Sequence, residues 1–129
     1  TEYIHQVVRN FYWGYEQTCE IDIASVLAEN FDGIRPAPGY PATPDHTEKQ
    51  VIWDVLSVED KIGISLTESY AMKPVSSVCG IYLSHPEAEY FGVGKIDKDQ
   101  LQDYAKRKNI SENEAERWLS PVIGYKINK

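Results

Sequence analysis

Residues 34–49 combine a stiff backbone with side chains suited to binding a small charged molecule. The segment reads Ile-Arg-Pro-Ala-Pro-Gly-Tyr-Pro-Ala-Thr-Pro-Asp-His-Thr-Glu-Lys and holds four of the chain's seven prolines. Each proline fixes its own φ and pushes the preceding residue toward extended geometry, so the segment is predicted to be neither helix nor sheet interior. Arg35 stands at its entrance, Tyr40 at its tip and Asp45-His46 at its end. These groups favour an anionic or zwitterionic ligand held at low entropic cost.

The backbone of the same loop offers few but fixed hydrogen-bond donors. Gly39, which lies between two prolines, supplies the freedom for a tight reversal. Because proline has no N–H, the remaining N–H groups at Ala37, Gly39, Tyr40 and Ala42 are expected to be available to a ligand. A plain stiff connector is the other interpretation of a Pro-rich loop, and the residues alone leave it open.

An amphipathic helix precedes this loop. Its apolar residues recur at helical spacing and predict a helix that ends near Gly14 with this face toward the core. The face is formed by Tyr3, Ile4, Val7, Val8, Phe11, Tyr12 and Tyr15. A helix this apolar at the start of the chain also implies that a neighbouring part of the protein is missing. We therefore expect either self-association or a cleft left open by the absent part.

Two further helices flank the loop. Asp22 is predicted to cap a short helix that ends at Asn30, and Asp32-Gly33 then turns the chain into the loop. After the loop, Asp45 and Glu48 have the spacing of a capping box, so His46 and Thr47 are expected in the first turn of a third helix. The buried face of that helix is expected to be formed by Val51, Ile52, Val55 and Leu56.

The pattern changes to a period of two after this helix. Residues 64–70, 78–83 and 90–96 are rich in β-branched and aromatic residues and predict strands. The connections between them are too short for parallel crossovers, so the strands should form an antiparallel meander.

Two capped helices complete the chain. Asp97 with Gln100 is predicted to begin one of them, which buries Leu101, Tyr104 and Ala105. Ser111 with Glu114 begins the next, which buries Ala115, Trp118 and Leu119 before Pro121 ends it. The predicted fold class is α+β: an antiparallel β-meander packed with helices, with helices at the N-terminus and two helices at the C-terminus.

Composition excludes several classes of function. The net charge of −7 argues against binding nucleic acid, and no apolar run is long enough to span a membrane. The basic run 106–108 is interpreted as a solvated helix terminus. Two cysteines make no disulfide framework, so we expect a reduced, cytoplasmic protein. The first residue is Thr, and we expect residues 1–129 to be an excerpt of a longer polypeptide.

No catalytic or metal-binding motif is visible. His5, His46 and His85 show no metal-ligand spacing with one another or with the cysteines, and His5 is expected on the surface. A hydrolase is the natural rival to a ligand-binding domain, because serines and Cys79 are candidate nucleophiles. The chain has no nucleophile elbow and no visible oxyanion motif, so we predict no catalytic residue and no metal ligand.

The loop and four shorter motifs resemble the reactivation domain of cobalamin-dependent methionine synthase. The resemblance covers nearly the whole chain and implies that residues 1–129 are the C-terminal portion of a domain that binds S-adenosylmethionine. The motifs are Arg-Pro-Ala-Pro-Gly-Tyr-Pro-Ala-x-Pro-Asp-His-Thr-Glu-Lys at 35–49, Leu-Thr-Glu-Ser at 66–69, Ser-His-Pro at 84–86, Asp-Tyr-Ala at 103–105 and Glu-Arg-Trp-Leu at 116–119.

The resemblance also implies a reaction and its participants. The parent enzyme transfers a methyl group from methyltetrahydrofolate to homocysteine through methylcobalamin, and the reactivation domain restores cobalamin that has been oxidised. The implied partners are the cobalamin-binding domain of the same enzyme and a flavodoxin or flavoprotein reductase. The implied cofactors are S-adenosylmethionine and a cobalamin held by the neighbouring domain, with zinc only in the parent's homocysteine domain.

Residue by residue, the resemblance implies a divided site. Arg35 would pair with the carboxylate of S-adenosylmethionine, and the backbone at Ala37 and Gly39 would bond its polar groups. Tyr90 and Phe91 would flank the adenosyl end.

Two residues are also expected to face the cobalamin domain. Tyr40 would lie beside the sulfonium of the ligand and face the corrin, and His46 is a candidate contact to the cobalamin domain. The alternative function is a non-catalytic module that docks the cobalamin domain or the electron donor and has no ligand affinity of its own. Acidic ligand contacts that the family has before the first helix are absent from this chain.

Overall fold

The computed structural model describes residues 2–15, 23–28 and 32–127. The chain divides into two compact units, which we call unit 1 (Thr1–Pro36 and Gly80–Tyr90) and unit 2 (Ala37–Cys79 and Phe91–Lys129). Helices and an antiparallel strand pair occur together, which confirms the predicted α+β class.

Unit 1 begins with the predicted helix. It runs as α1 (Glu2–Val7), continues as a π-helical segment (Val8–Trp13) and ends at Gly14, where the sequence places its end. The second helix, α2 (Ile23–Ala28), lies against α1. Its expected cap Asp22 and expected end Asn30 lie outside the described residues.

The face that the first helix buries is the opposite of the predicted one. His5, Gln6 and Arg9 are buried, whereas Tyr3 and Phe11 are exposed. The polar face turns inward because it has partners: the Arg9 Nε donates to the Asp32 carbonyl at 3.0 Å, and the His5 ring contacts other aromatic rings of unit 1. The expected surface position of His5 is therefore wrong. Self-association through the exposed aromatic face stays a prediction.

A single antiparallel bridge fixes the entrance of the Pro-rich loop in unit 1. Ile34 and Leu83 exchange both backbone hydrogen bonds, at 3.0 and 2.9 Å. Gly33 has a φ of +86°, and a Cβ there would lie 2.6 Å from the Trp13 ring and 2.9 Å from the Leu83 carbonyl oxygen. Only glycine fits this position, because any side chain would meet both the ring and the bridge.

Unit 2 places two helices after the loop. They are α3 (Glu48–Leu56) and α4 (Val58–Ile62). The expected buried face of α3 is wrong, since Val51, Val55 and Leu56 are exposed while Lys49 and Trp53 are buried. The Trp53 indole N–H donates to the Ile64 carbonyl at 2.7 Å, which turns this side of the helix inward.

The sheet is smaller than the predicted meander. Strands β1 (Ser65–Leu66) and β2 (Met72–Lys73) form one antiparallel hairpin, with Ser65 opposite Lys73 and Leu66 opposite Met72. Segments 78–83 and 90–96 are extended but make single bridges, Leu83 with Ile34 and Ile96 with Ile123, so the prediction of continuous strands there is wrong. In both segments the backbone pairs with elements distant in sequence, which the local period of two does not reveal.

The C-terminal helices agree with the prediction. Helix α5 (Lys98–Lys108) begins with the Asp97–Gln100 capping box, and Ser111 accepts the Glu114 N–H at the start of α6 (Glu112–Leu119). A 3₁₀ turn (Ser120–Val122) containing Pro121 follows. The core of unit 2 is apolar and is formed by Leu101, Ala105, Ala115 and Ile123, with Ile96, Tyr104, Ile110 and Tyr125 packed against it.

Candidate functional site

In unit 1, Arg35 lines a cleft of about 210 Å³. Its guanidinium is mostly buried, with 16% of the side chain exposed, and it pairs with Glu2 and lies 3.2 Å from the His5 Nδ1. The Arg35 backbone N–H donates to the Tyr90 hydroxyl at 2.9 Å. The structure thus brings together two of the predicted site residues, Arg35 and Tyr90, on one cleft.

The cleft is lined by both apolar residues and residues of opposite charge. Its walls are formed by His5, Gly33, Ile34, Arg35, Ala88, Glu89 and Tyr90. The guanidinium is a donor in a concave and poorly solvated setting, where a carboxylate is bound most strongly. Glu2 already occupies part of its hydrogen-bonding fork, so a ligand carboxylate would share or replace that partner.

In unit 2, the Pro-rich loop closes on itself. The Gly39 N–H donates to the Thr43 carbonyl at 2.7 Å, and the Thr43 hydroxyl donates to the Ala37 carbonyl at 2.7 Å. The Tyr40 N–H also donates to the Ala37 carbonyl, at 3.2 Å. The expectation that the Gly39 and Tyr40 N–H groups are available to a ligand is therefore wrong. Within the described residues, those of Ala37 and Ala42 donate to no protein acceptor.

The tip of the loop is open to solvent. The Tyr40 ring is 67% exposed, and Phe91 is similarly exposed. The segment that follows Phe91 runs beside the loop, because the Val93 N–H donates to the Pro41 carbonyl at 3.0 Å. Two aromatic rings that the sequence assigns to a ligand are thus exposed within unit 2.

The His46 ring packs against the loop backbone at Gly39. Gly39 has a φ of +95°, and a Cβ there would lie 2.0 Å from the His46 Cε1, so the imidazole and the glycine backbone are in direct contact. The Nδ1 of His46 lies 2.9 Å from the Nζ of the buried Lys49, which also donates to the Tyr70 carbonyl at 3.0 Å. Burial and the neighbouring Lys49 cation lower the pKa of His46. His46 lies in the turn before α3 rather than in its first turn.

A charged cluster holds the end of the loop, and the sequence did not predict it. Asp45 accepts the Thr47 N–H at 2.7 Å through Oδ1, and the Tyr104 hydroxyl and Lys108 ammonium through Oδ2. Lys108 also donates to Glu48 at 2.6 Å. The expected Asp45–Glu48 capping box is wrong, because α3 begins at Glu48 with Thr47 at the N-cap position, and both carboxylates accept from Lys108.

The pKa values of the titratable groups in this cluster are shifted from their usual values. Burial alone raises the pKa of Asp45, but the hydrogen bonds from Lys108, Tyr104 and Thr47 outweigh it and hold the pKa below 3.8. Burial and then the hydrogen bond to Asp45 raise the pKa of Tyr104 to about 12. Burial tends to lower the pKa of Lys108, yet its bonds to Asp45, Glu48 and Tyr104 raise it. All three shifts favour the charged pair with a neutral phenol.

The described residues carry neither a metal site nor a membrane span. They contain no group of three or more His, Cys, Asp or Glu side chains arranged to hold a metal ion. None of the helices described in 2–15, 23–28 and 32–127 has the length and apolar character needed to cross a bilayer.

Comparison with known proteins identifies the family. The model of the vitamin B12-dependent methionine synthase activation domain matches residues 1–109. The chain belongs to this family of activation domains. Its fold is similar to a crystal structure of the MetH reactivation domain bound to AdoHcy, with a TM-score of 0.90 and 52% sequence identity over 97% of this chain. The chain spans 38% of the length of that structure's chain.

Proposed function

We propose that residues 1–129 are the C-terminal portion of a reactivation domain that binds S-adenosylmethionine. In this function the domain presents the ligand to cob(II)alamin for reductive remethylation of a cobalamin-dependent methionine synthase. Family membership and the AdoHcy-bound relative support the proposal. The observation that carries it is the self-closed loop 37–43, which leaves the Ala37 N–H without an acceptor among the described residues and the Tyr40 side chain 67% exposed.

The chemistry of the proposed reaction lies outside this chain. The parent enzyme would take one electron from a flavodoxin or flavoprotein reductase and a methyl group from S-adenosylmethionine, and would leave methylcobalamin and S-adenosylhomocysteine. When bound, S-adenosylmethionine supplies an electrophilic methyl group on its sulfonium. The residues described above bind and orient this ligand, and none of them is proposed to be catalytic.

In unit 1, Arg35 is proposed to bind the ligand carboxylate. Its side chain lines the cleft beside Tyr90, and a guanidinium can bind a carboxylate through two parallel hydrogen bonds. Tyr90 would contact the adenosyl end. The Glu2 carboxylate shows that this guanidinium position suits an anionic oxygen.

In unit 2, the loop backbone and two exposed rings would bind the remaining parts of the ligand. The Ala37 N–H and the backbone at Gly39, which rests against the His46 ring, would bond polar groups of the ligand. Tyr40 would lie beside the sulfonium, where a ring face attracts a cation, and Phe91 would pack on the adenosyl group. Tyr40 and His46 would also face the cobalamin domain.

The proposed partners and compartment follow from the same assignment. They are the cobalamin-binding domain of the parent enzyme and a flavodoxin or flavoprotein reductase, in the cytoplasm. Cobalamin would be held by its own domain, and a zinc ion only by the homocysteine domain. We expect residues 1–129 alone to have no turnover.

Calorimetric titration with S-adenosylmethionine and S-adenosylhomocysteine tests the proposal. The complete natural protein should bind both, and the Arg35→Ala variant should bind both more weakly. Absence of binding to the complete protein would contradict the proposal. If the protein nevertheless associates with its cobalamin domain, the result favours the alternative of a docking module without ligand affinity.

A further inference from the structure

Helix α5 ends in a lysine whose side chain is mostly buried. The Lys108 ammonium donates to the Asp45 carboxylate at 2.7 Å, to the Glu48 carboxylate at 2.6 Å and to the Thr47 hydroxyl. Only 23% of its side chain is exposed. The neighbouring Lys106 is exposed, as the whole run was expected to be. The Tyr104 hydroxyl oxygen also lies 3.2 Å from the ammonium, so four acceptors surround its three hydrogens and its full donor capacity is used.

Asp45 is the centre of these contacts. It is 3% exposed, and both of its carboxylate oxygens accept hydrogen bonds, from the Thr47 N–H and from Tyr104 and Lys108. A buried carboxylate that loses its cation keeps the cost of its desolvation. The position of Asp45 therefore depends on the two residues that α5 supplies, Tyr104 and Lys108.

Contacts inside unit 2 connect Asp45 to the loop tip. The next residue, His46, lies directly under Gly39, and no Cβ could be placed between them. Gly39 in turn donates to Thr43, whose hydroxyl donates to Ala37. A shift of Asp45 would move His46, and the Gly39 backbone would lose the ring that supports it.

We propose that Lys108, together with Tyr104, is a positioning residue that holds the loop 37–46 in its ligand-binding conformation. This inference rests on the proposed function for its link to S-adenosylmethionine, but not for its link to the loop. Lys108 has no donor left for a ligand, so its effect passes through Asp45 and His46. The basic end of α5 thus helps to hold the conformation of the binding loop.

The experiment compares Lys108→Met with Lys106→Met in the complete natural protein. Both variants remove one ammonium from the same turn of α5, but only Lys108 contacts Asp45. Hydrogen exchange is measured at the Gly39 and Thr43 amides, whose acceptors lie within the loop, and at the α6 amides as a reference. Affinity for S-adenosylhomocysteine is measured on the same samples, and Tyr104→Phe, which keeps the ring, serves as a milder second variant.

In Lys108→Met we expect exchange at the loop amides to accelerate by a larger factor than exchange in α6, and an affinity lower by about tenfold, the scale on which loss of an orienting partner weakens metal sites. Tyr104→Phe should show the same pattern with a smaller change, and Lys106→Met should match the wild type. Unchanged loop exchange, equal effects of the two lysine variants, or loosening of α6 by the same factor would overturn the proposal. So would unchanged affinity in a protein whose wild type binds the ligand. A wild type that binds no ligand contradicts the proposed function instead, and the exchange data still decide the positioning role.

Discussion

The two ends of the Pro-rich loop are held by different chemistry. At the entrance, in unit 1, the Ile34–Leu83 bridge fixes the backbone, and Arg35 pairs with Glu2 beside an open cleft. At the exit, in unit 2, Asp45 is almost fully enclosed by Thr47, Tyr104 and Lys108. Both ends join a cation to a carboxylate, but only the entrance presents its cation to a space that a ligand can enter.

This difference separates binding from folding. A ligand carboxylate can compete for Arg35, because the guanidinium lines the cleft and the Glu2 carboxylate is already one of its partners. Lys108 has no hydrogen left for a ligand, because four acceptors in unit 2 surround its ammonium. Changes at the entrance should therefore act on affinity directly, whereas changes at the exit should lower stability and reach affinity only through the loop.

The largest effect is expected at the exit. Asp45→Ala removes the carboxylate from an ion pair in which the Asp45 side chain is 5% exposed and the Lys108 side chain 23% exposed. Breaking a buried pair costs about 3–5 kcal/mol. Glu48 still binds Lys108, so we expect the lower end, about 3 kcal/mol of unfolding free energy by urea denaturation.

Asp103→Ala is the matched control for this prediction. Asp103 pairs with Arg107 at 2.7 Å on the same helix, but both side chains are more than 60% exposed. Exposed pairs contribute about 0.2–1 kcal/mol, so this variant should remain close to the wild type. Similar losses in the two variants would show that the exit is not a special anchor.

The next effect is expected at the entrance, in affinity. Arg35→Ala should weaken S-adenosylmethionine binding roughly tenfold to a hundredfold, since a charge-assisted hydrogen bond contributes about 1.5–3 kcal/mol. Arg35→Lys should recover only part of it, because lysine cannot form the bidentate fork. Calorimetry measures both variants, and an alanine variant with the wild-type affinity would remove Arg35 from the binding site.

The sequence predicted the contacts at the two ends of the loop unequally well. The loop itself, with Arg35 at its entrance, follows from proline geometry and residue type, which are local properties. Lys108 and Asp45 are 63 positions apart, and nothing in the local pattern of a basic helix end distinguishes a paired lysine from a solvated one. Side-chain capping predicted α5 and α6 well because their apolar faces pack together in one core.

The first helix shows the limit of periodicity more clearly. Its apolar spacing predicted a helix of the correct extent but the wrong buried face. His5 and Arg9 are buried because Arg35, Tyr82 and the Asp32 carbonyl lie against them. These partners come from distant parts of the chain. A hydrophobic pattern identifies the helix, whereas the available partners decide which side faces inward.

A smaller effect at the exit depends on pH. Burial and the hydrogen bond to Asp45 raise the pKa of Tyr104 from 10.0 to about 12. The unfolded phenol loses its proton from about pH 10, and the folded one keeps it until about pH 12, so this contribution to stability is present below pH 10 and is lost as the pH rises to 12. Tyr104→Phe has no proton to lose.

Urea denaturation at several pH values measures this difference. Between pH 10 and 12 the Tyr104→Phe variant should lose less stability than the wild type, and the two curves should run parallel below pH 10. Tyr12→Phe, which alters a phenol that is 80% exposed, is the control. Parallel curves across the whole range would mean that the Tyr104 hydroxyl does not couple folding to protons.

The smallest effect on affinity is expected at Tyr40, which lies at the loop tip and takes no part in the ion pairs at the entrance and the exit. Its ring is 67% exposed, and in the proposed place beside the sulfonium its contribution would be positional. Cation–π attraction to a sulfonium would contribute about 0.5–2 kcal/mol, and phenylalanine preserves most of it. Tyr40→Phe should therefore leave S-adenosylmethionine affinity within a few fold.

Removal of the ring tests what Tyr40 does once the ligand is bound. A misplacement of about 1 Å can cost on the order of 100-fold in rate, so Tyr40→Ala should impair reductive methylation of the cobalamin more than it impairs binding. Primary turnover with methyltetrahydrofolate should survive, because the loop is not proposed to act in that half of the cycle. Both rates are measured on the same variants of the full-length enzyme. If Tyr40→Ala stops primary turnover but spares reductive methylation, then the Pro-rich loop is not where the methyl donor is presented.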